Sequence, residues 1–235
     1  MGKKTKALKA AFPKTIPILA GYGFLGTAYG IYMATSGFGV LYVITMCIVI
    51  FGGAMQFVGV PILLAPFAPI QTLIITLLVQ ARHIFYGIAM LDKLKDIGLK
   101  KLYIIYGVVD ETFSINYTAQ IPDDVDKGWF MFFVTLLDHI YWILGSVFGA
   151  VAGSLIKFST EGIDFVMTAM FVVIFMEQWK KEKQHYSAII GLISAIGCLL
   201  IFGADSFMVP TMICILVLLA VFKKPIEKEG GYLDD

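Results

Sequence analysis

The chain has 235 residues, of which 59% are hydrophobic and 15% charged, with a formal net charge of +1; an average soluble domain carries roughly 25% charged residues. That composition excludes a soluble globular protein and describes an integral membrane protein, with no length left over for a soluble domain. The expected fold is all-α: a polytopic helix bundle in the lipid bilayer, of about seven to eight membrane segments, at least one of them broken or re-entrant.

Residues 1–15 form a Lys-rich tail, MGKKTKALKAAFPKT. It has the charge of a signal peptide but not the small-residue cleavage site, so the first helix is expected to be retained. Hydrophobic runs, each near the roughly 20 residues needed to cross a hydrocarbon core, follow at 16–36, 41–65, 69–91, 102–119, 129–156, 163–179, 186–203 and 206–222. Residues 16–222 are one transmembrane transport domain on this reading, and 223–235 a second short tail. Lys clusters at 3–14, 93–101, 180–183 and 223–228 set the orientation, because short Lys-rich loops stay in the cytoplasm. Both tails are therefore placed inside.

In the first run, Gly21, Gly23 and Gly26 match a dinucleotide-binding pattern, but no strand precedes them and no acidic residue follows at the right distance. With Gly30, Gly145, Gly149 and Gly153 they read better as packing: spacings of four between small residues let membrane helices approach closely. The second run is interrupted by Gly52, Gly53 and Pro61 and followed by Pro66 and Pro69, residues that loosen or end helices. Two topologies follow. If every run before Lys93 crosses, that Lys cluster lies outside; if 41–65 is a re-entrant hairpin and one later run also fails to cross, all the clusters face inward.

The third run carries Arg82 and His83 near its centre. A charged side chain at the bilayer midplane costs at least about 3 kcal/mol, so such residues face a cavity or a partner. Taken as one continuous helix, the run sets Thr72, Thr76, Gln80, His83 and Gly87 on one polar stripe, with Arg82 about 100 degrees away. The fourth run sets Tyr103, Tyr106, Asp110, Ser114 and Tyr117 on one arc, with Glu111 beside it. Asp138 falls in the fifth run on the face of Trp142, Gly145 and Gly149. Glu177 and Asp205 are further acids at or within runs, whereas Arg82 is the lone cation well inside one. The acids either bind protons or pair with cations elsewhere, or Arg82 forms a structural ion pair with Asp110 or Glu111.

Cys47, Cys198 and Cys214 show no paired spacing, so neither a disulfide framework nor a metal site is expected. No cofactor, catalytic residue or nucleic-acid partner is expected either. A passive channel for a small polar or anionic solute is the alternative to a carrier; an intramembrane enzyme lacks a nucleophile beside a base.

The segments GGAMQF (52–57), ARHIFYG (81–87) and VDETF (109–113) resemble, in order and spacing, signatures of the AzlC family of bacterial inner-membrane permeases, and the likeness spans essentially the whole chain. It implies the large subunit of a two-part exporter of branched-chain amino acids (leucine, isoleucine, valine and analogues), coupled to an ion gradient and working with a small membrane subunit of the AzlD type. The residue chemistry fits that resemblance: a zwitterionic substrate needs a cation and an anion, so Arg82 is expected to hold the substrate carboxylate, Asp110 or Glu111 the ammonium, and Gly52, Gly53 and Gln56 to line the site. His83 is the proton-coupling candidate, with Gln80, Ser114 and Asp138 as further polar residues.

Overall fold

In a computed structural model, the residues described are 2–155, 172, 175, 176, 179, 180, 185–203 and 207–222. They contain helices and no strand. The chain divides into two compact units, Met1–Asp164 and Phe165–Asp235. In the second, α9 (Tyr186–Phe202) packs on α10 (Met208–Val221). The predicted run 163–179, Glu177, Asp205 and the tail 223–235 lie wholly or largely outside the described residues.

The first unit is framed by two long helices, α1 (Lys3–Thr35) and α8 (Lys127–Leu155), both long and apolar enough to span a bilayer. They run parallel, with their backbones in contact. A Cβ on Gly30 would lie 2.0 Å from the Ser146 carbonyl oxygen, one on Gly149 1.9 Å from that of Thr27, and one on Gly145 2.6 Å from that of Tyr22. The small-residue spacing thus reports a helix seam, as expected. Gly21 and Gly23 face open space, and their dinucleotide-like pattern lies inside a continuous helix.

Between these two helices the three middle runs are each broken near their centre. The second splits into α2 (Val40–Val49) and α3 (Gly53–Leu64), the third into α4 (Pro69–Val79) and α5 (Ala81–Met90), the fourth into α6 (Lys100–Tyr106) and α7 (Asp110–Thr118). At about 1.5 Å per residue, the 7-residue α6 and 9-residue α7 reach about 10 and 14 Å, well short of a hydrocarbon core of about 30 Å.

Their contacts show that the second and fourth runs turn back. The Cys47 carbonyl, late in α2, meets His139 on α8, yet further along α3 Gln56 meets Trp142 and Phe57 packs on Tyr29 and Tyr32, back toward the end where α2 began. In the fourth run, α6 starts beside Gly128, whose added Cβ would approach Lys100, and α7 returns to place Tyr117 beside Lys93. The third run bends by 49° between its halves and connects the two ends. The order is therefore crossing, hairpin, bent crossing, hairpin, crossing, with the hairpins entering from opposite ends.

This decides between two alternatives and corrects one expectation. Runs 41–65 and 102–119 fold back as hairpins, so the first five runs supply three spanning elements and two re-entrant ones. The third and fourth runs are not continuous helices, so the stripe from Thr72 to Gly87 and the arc from Tyr103 to Tyr117 are each divided at a break. For the first two Lys clusters, the re-entrant topology is the one that fits. Lys4 and Lys100 both stack on the Trp129 ring and Lys6 pairs with Asp124 at 2.9 Å, which gathers the first two Lys clusters at one end. A shared apolar core under them joins Ala11, Met90, Ile97, Ile104 and Phe130.

Candidate functional site

Each break exposes backbone groups that lose their helical partners, and each is held differently. At the first, the chain leaves the helix at Ile50 and restarts at Gly53 after Gly52, with φ −164° and ψ 93°. Gly52 lies close to the second break: a Cβ there would meet the side-chain Nε2 of Gln80. At the second, no glycine or proline marks the interruption; the Gln80 carbonyl accepts the His83 N–H at 3.0 Å and lies 3.2 Å from His83 Nδ1.

At the third break, the buried Thr112 hydroxyl donates to the Gly107 carbonyl at 2.6 Å and accepts the Val109 N–H at 2.9 Å. Gly107 itself lies against Thr135, whose methyl would be 2.2 Å from an added Cβ. Asp110 and Glu111 then open α7, where carboxylates complement the positive end of the helix dipole.

The breaks meet. Tyr106 donates its hydroxyl to the Ile48 carbonyl, tying one hairpin tip to the other, and Phe51 stacks on His139 at 4.5 Å. A cavity of about 230 Å³ lies there, lined by Phe51 at the first break, Gln80 and His83 at the second, Gly87 further along α5, Leu94 beyond it, and Ile105, Tyr106 and Val108 at the third; Arg82 and Asp110 are not among its lining residues. The starts of α3, α5 and α7 coincide with the three signature segments, so the positive ends of three half-helices are collected around this region.

The residues singled out from sequence fall into separate groups. Arg82 Nη1 pairs with Asp110 Oδ2 at 2.9 Å, and Tyr86 donates to Asp110 Oδ1 at 2.7 Å. The pair stays open, with the side chains 46% and 29% exposed. Glu111 is elsewhere: its Oε2 accepts the Tyr22 hydroxyl of α1 at 2.8 Å. Gln80 and His83 line the cavity, with Gly52 against Gln80. Gln56 is fully buried, accepting from Trp142 Nε1 at 2.6 Å and lying 3.4 Å from Cys47 Sγ, while Gly53 packs on the Trp142 ring. Asp138 is fully buried on α8 and Ser114 is exposed on α7.

Sequence reasoning did not single out Tyr22, Thr112 or His139. His139 bridges the hairpins, with one ring nitrogen 3.0 Å from the Cys47 carbonyl and the other 2.9 Å from the Tyr103 hydroxyl. Its position beside Asp138 in an otherwise apolar run was the available signal. Among the described residues no cluster of His, Cys, Asp and Glu has the makings of a metal site, and the cysteines are free.

Comparison with known proteins covers the stretch that carries these segments. The family model described as AzlC protein matches residues 17–156, the stretch that holds both hairpins. The branched-chain amino acid transport protein AzlC of Bacillus subtilis is 57% identical, over 94% of this chain and 87% of its own length. A membrane protein of unassigned function from Haemophilus influenzae is 50% identical over 92% and 89%, and the inner membrane protein YgaZ of Escherichia coli 22% identical over 85% and 84%. No solved structure matches. With its three signature segments seated at three helix breaks around one cavity, the chain is a membrane protein of the AzlC family.

Proposed function

We propose that the chain is the large subunit of a secondary transporter that exports branched-chain amino acids across the bacterial inner membrane. The Lys-rich end, with Trp129 at its centre, faces the cytoplasm by the positive-inside rule. The observation that carries this reading is the convergence of two opposed hairpin tips and a bent helix on one cavity, an arrangement in which broken helices typically build a transporter's substrate site. The transport activity in the name of the 57% identical relative supplies the substrate class.

A zwitterionic amino acid needs a cation for its carboxylate and an anion for its ammonium. Arg82 presents a planar fork suited to the carboxylate, and Asp110, its resting partner, takes the ammonium as the pair opens. The apolar walls of the cavity, Phe51 and Val108, receive the aliphatic side chain. Gly52 and Gln80 set the width of the site, and Gln56 and Gly53 hold the first tip against Trp142. His83 lines the cavity and carries a proton between substrate cycles. A small membrane subunit of the AzlD type completes the transporter; co-purification from native membranes tests for it.

The deciding assay is leucine efflux from preloaded cells. Arg82→Ala is expected to lower efflux at least tenfold with normal protein level in the membrane, and Arg82→Lys to restore part of it; wild-type efflux in Arg82→Ala would overturn the assignment. Saturable exchange of internal for external leucine separates this carrier from a channel.

A further inference from the structure

Asp138 is the least explained polar group in the first unit. Its side chain is wholly buried, and neither carboxyl oxygen has a hydrogen-bond partner. It lies in electrostatic reach of Glu111 and of Tyr22, the pair joined at 2.8 Å between α7 and α1. Several polar groups of the helices packed nearby are committed elsewhere. Asp110 holds Arg82 and Tyr86, His139 lies between Cys47 and Tyr103, Tyr141 meets Thr15 at 3.2 Å, and Gln56 faces the Cys47 thiol.

One turn toward the Lys-rich end the buried polar file continues. Asn116 Nδ2 lies 3.5 Å from Thr135 Oγ1, and Asn116 Oδ1 has no partner. A structural carboxylate would be expected to hold a cation or several N–H donors; Asp138 holds neither. Removed from water with no donor on either oxygen, it can be accommodated in the neutral form.

We propose that Asp138 is a proton-binding carboxyl of the transport cycle, set behind the substrate cavity and exchanging its proton through Glu111 and Tyr22. This rests on the reading of the chain as a gradient-coupled carrier. On this proposal Asp138 holds its proton while it is buried. When the hairpin tip carrying Glu111 shifts and admits water, the proton leaves and the carboxylate remains until a proton from the opposite side restores it. The proton is carried one way and the amino acid the other, and each protonation returns the hairpin tip to its closed position.

The test uses the full chain in its native membrane, with leucine as probe and two readouts: net efflux driven by an imposed pH gradient, and leucine–leucine exchange with no gradient. Exchange needs the substrate site but no proton turnover. Asp138→Asn is expected to lower gradient-driven efflux at least tenfold while keeping exchange within about twofold of wild type. Unchanged gradient-driven efflux, loss of both activities at normal membrane level, or loss of a sodium response in place of the pH response would each overturn the proposal. If Asp138→Asn does not reach the membrane, Asp138→Glu and Tyr22→Phe decide it: both are expected to displace the pH midpoint of efflux, and an unmoved midpoint in both refutes the proposal. Retention of pH coupling in Asp138→Asn with its loss in His83→Gln would leave His83 as the proton carrier without Asp138 and overturn the proposal. Absence of leucine exchange in the wild type removes the transport reading itself, and the proposal with it.

Discussion

Gly30→Ala measures directly how close α1 and α8 are. The new methyl carbon would stand 2.0 Å from the Ser146 carbonyl oxygen and 2.4 Å from the Ala150 nitrogen, whereas ordinary contact begins at 3.4 Å. Both obstacles are backbone, so no side-chain rotation relieves them and the helices must part by about 1.4 Å. Overfilling a packed interface costs about 1–3 kcal/mol, and the rigid obstacle places this case at about 2–3. For a chain of this size that corresponds to a fall of about 4–12 °C in melting temperature, read by thermal unfolding in detergent. Gly21→Ala is the control, because its methyl meets nothing within 4 Å and replacing a helical glycine gains up to about 1 kcal/mol. Melting of Gly30→Ala at the wild-type temperature, or an equal fall in Gly21→Ala, would refute the seam.

Topology is tested by single cysteines in a background lacking the native three. Residues 3, 95 and 123 are expected to react with an impermeant maleimide from the same side, and residue 37 from the other; labelling of 95 with 37 would exclude the hairpins. Trp142→Phe leaves the buried Gln56 carbonyl oxygen without its 2.6 Å donor, so a loss of about 1–3 kcal/mol is expected in unfolding. The Asp124 carboxyl is held below its usual range by its hydrogen bond to Lys6 and by the Lys6 charge. A depressed folded value makes the contribution complete above the ordinary carboxylate range and lost as pH falls through the depressed one. The stability difference between wild type and Asp124→Asn is expected to vanish under strong acid, and a difference that grows instead refutes the pair.

Much of the frame was legible because its signals are local. Four-residue spacing of glycines names a helix seam, and Gly52 and Gly53 name a break, since glycine weakens a helix wherever it falls. The break at Gln80 was not legible: Gln80 and Ala81 favour helix, Val79 is no helix breaker, and the interruption is tertiary, with Gln80 close to Gly52 some 28 positions earlier. The wheel drawn through Arg82 and His83 therefore kept its local content, two residues on different faces, and lost its reach across the break. Which carboxylate meets Arg82 was equally beyond a wheel. Asp110 and Glu111 are adjacent, and only the direction in which α7 leaves the tip turns one toward α5 and the other toward Tyr22 of α1. Gln56 follows the same pattern: its chemistry suits a substrate, and Trp142 of α8 already occupies its carbonyl oxygen.

The hairpin tips also set an order of assembly. The Cys47–His139 and Gln56–Trp142 bonds close loops of 92 and 86 residues, so the first tip is threaded into the bilayer long before α8 exists to receive it. At about 5–20 residues per second, its open carbonyls and its glutamine wait roughly 4–20 s, sheltered by the insertion machinery or by α1. Substitutions at His139 and Trp142 should therefore be seen first by the membrane's quality-control proteases, as a shortened lifetime of newly made chains, before any assay of the mature transporter is reached.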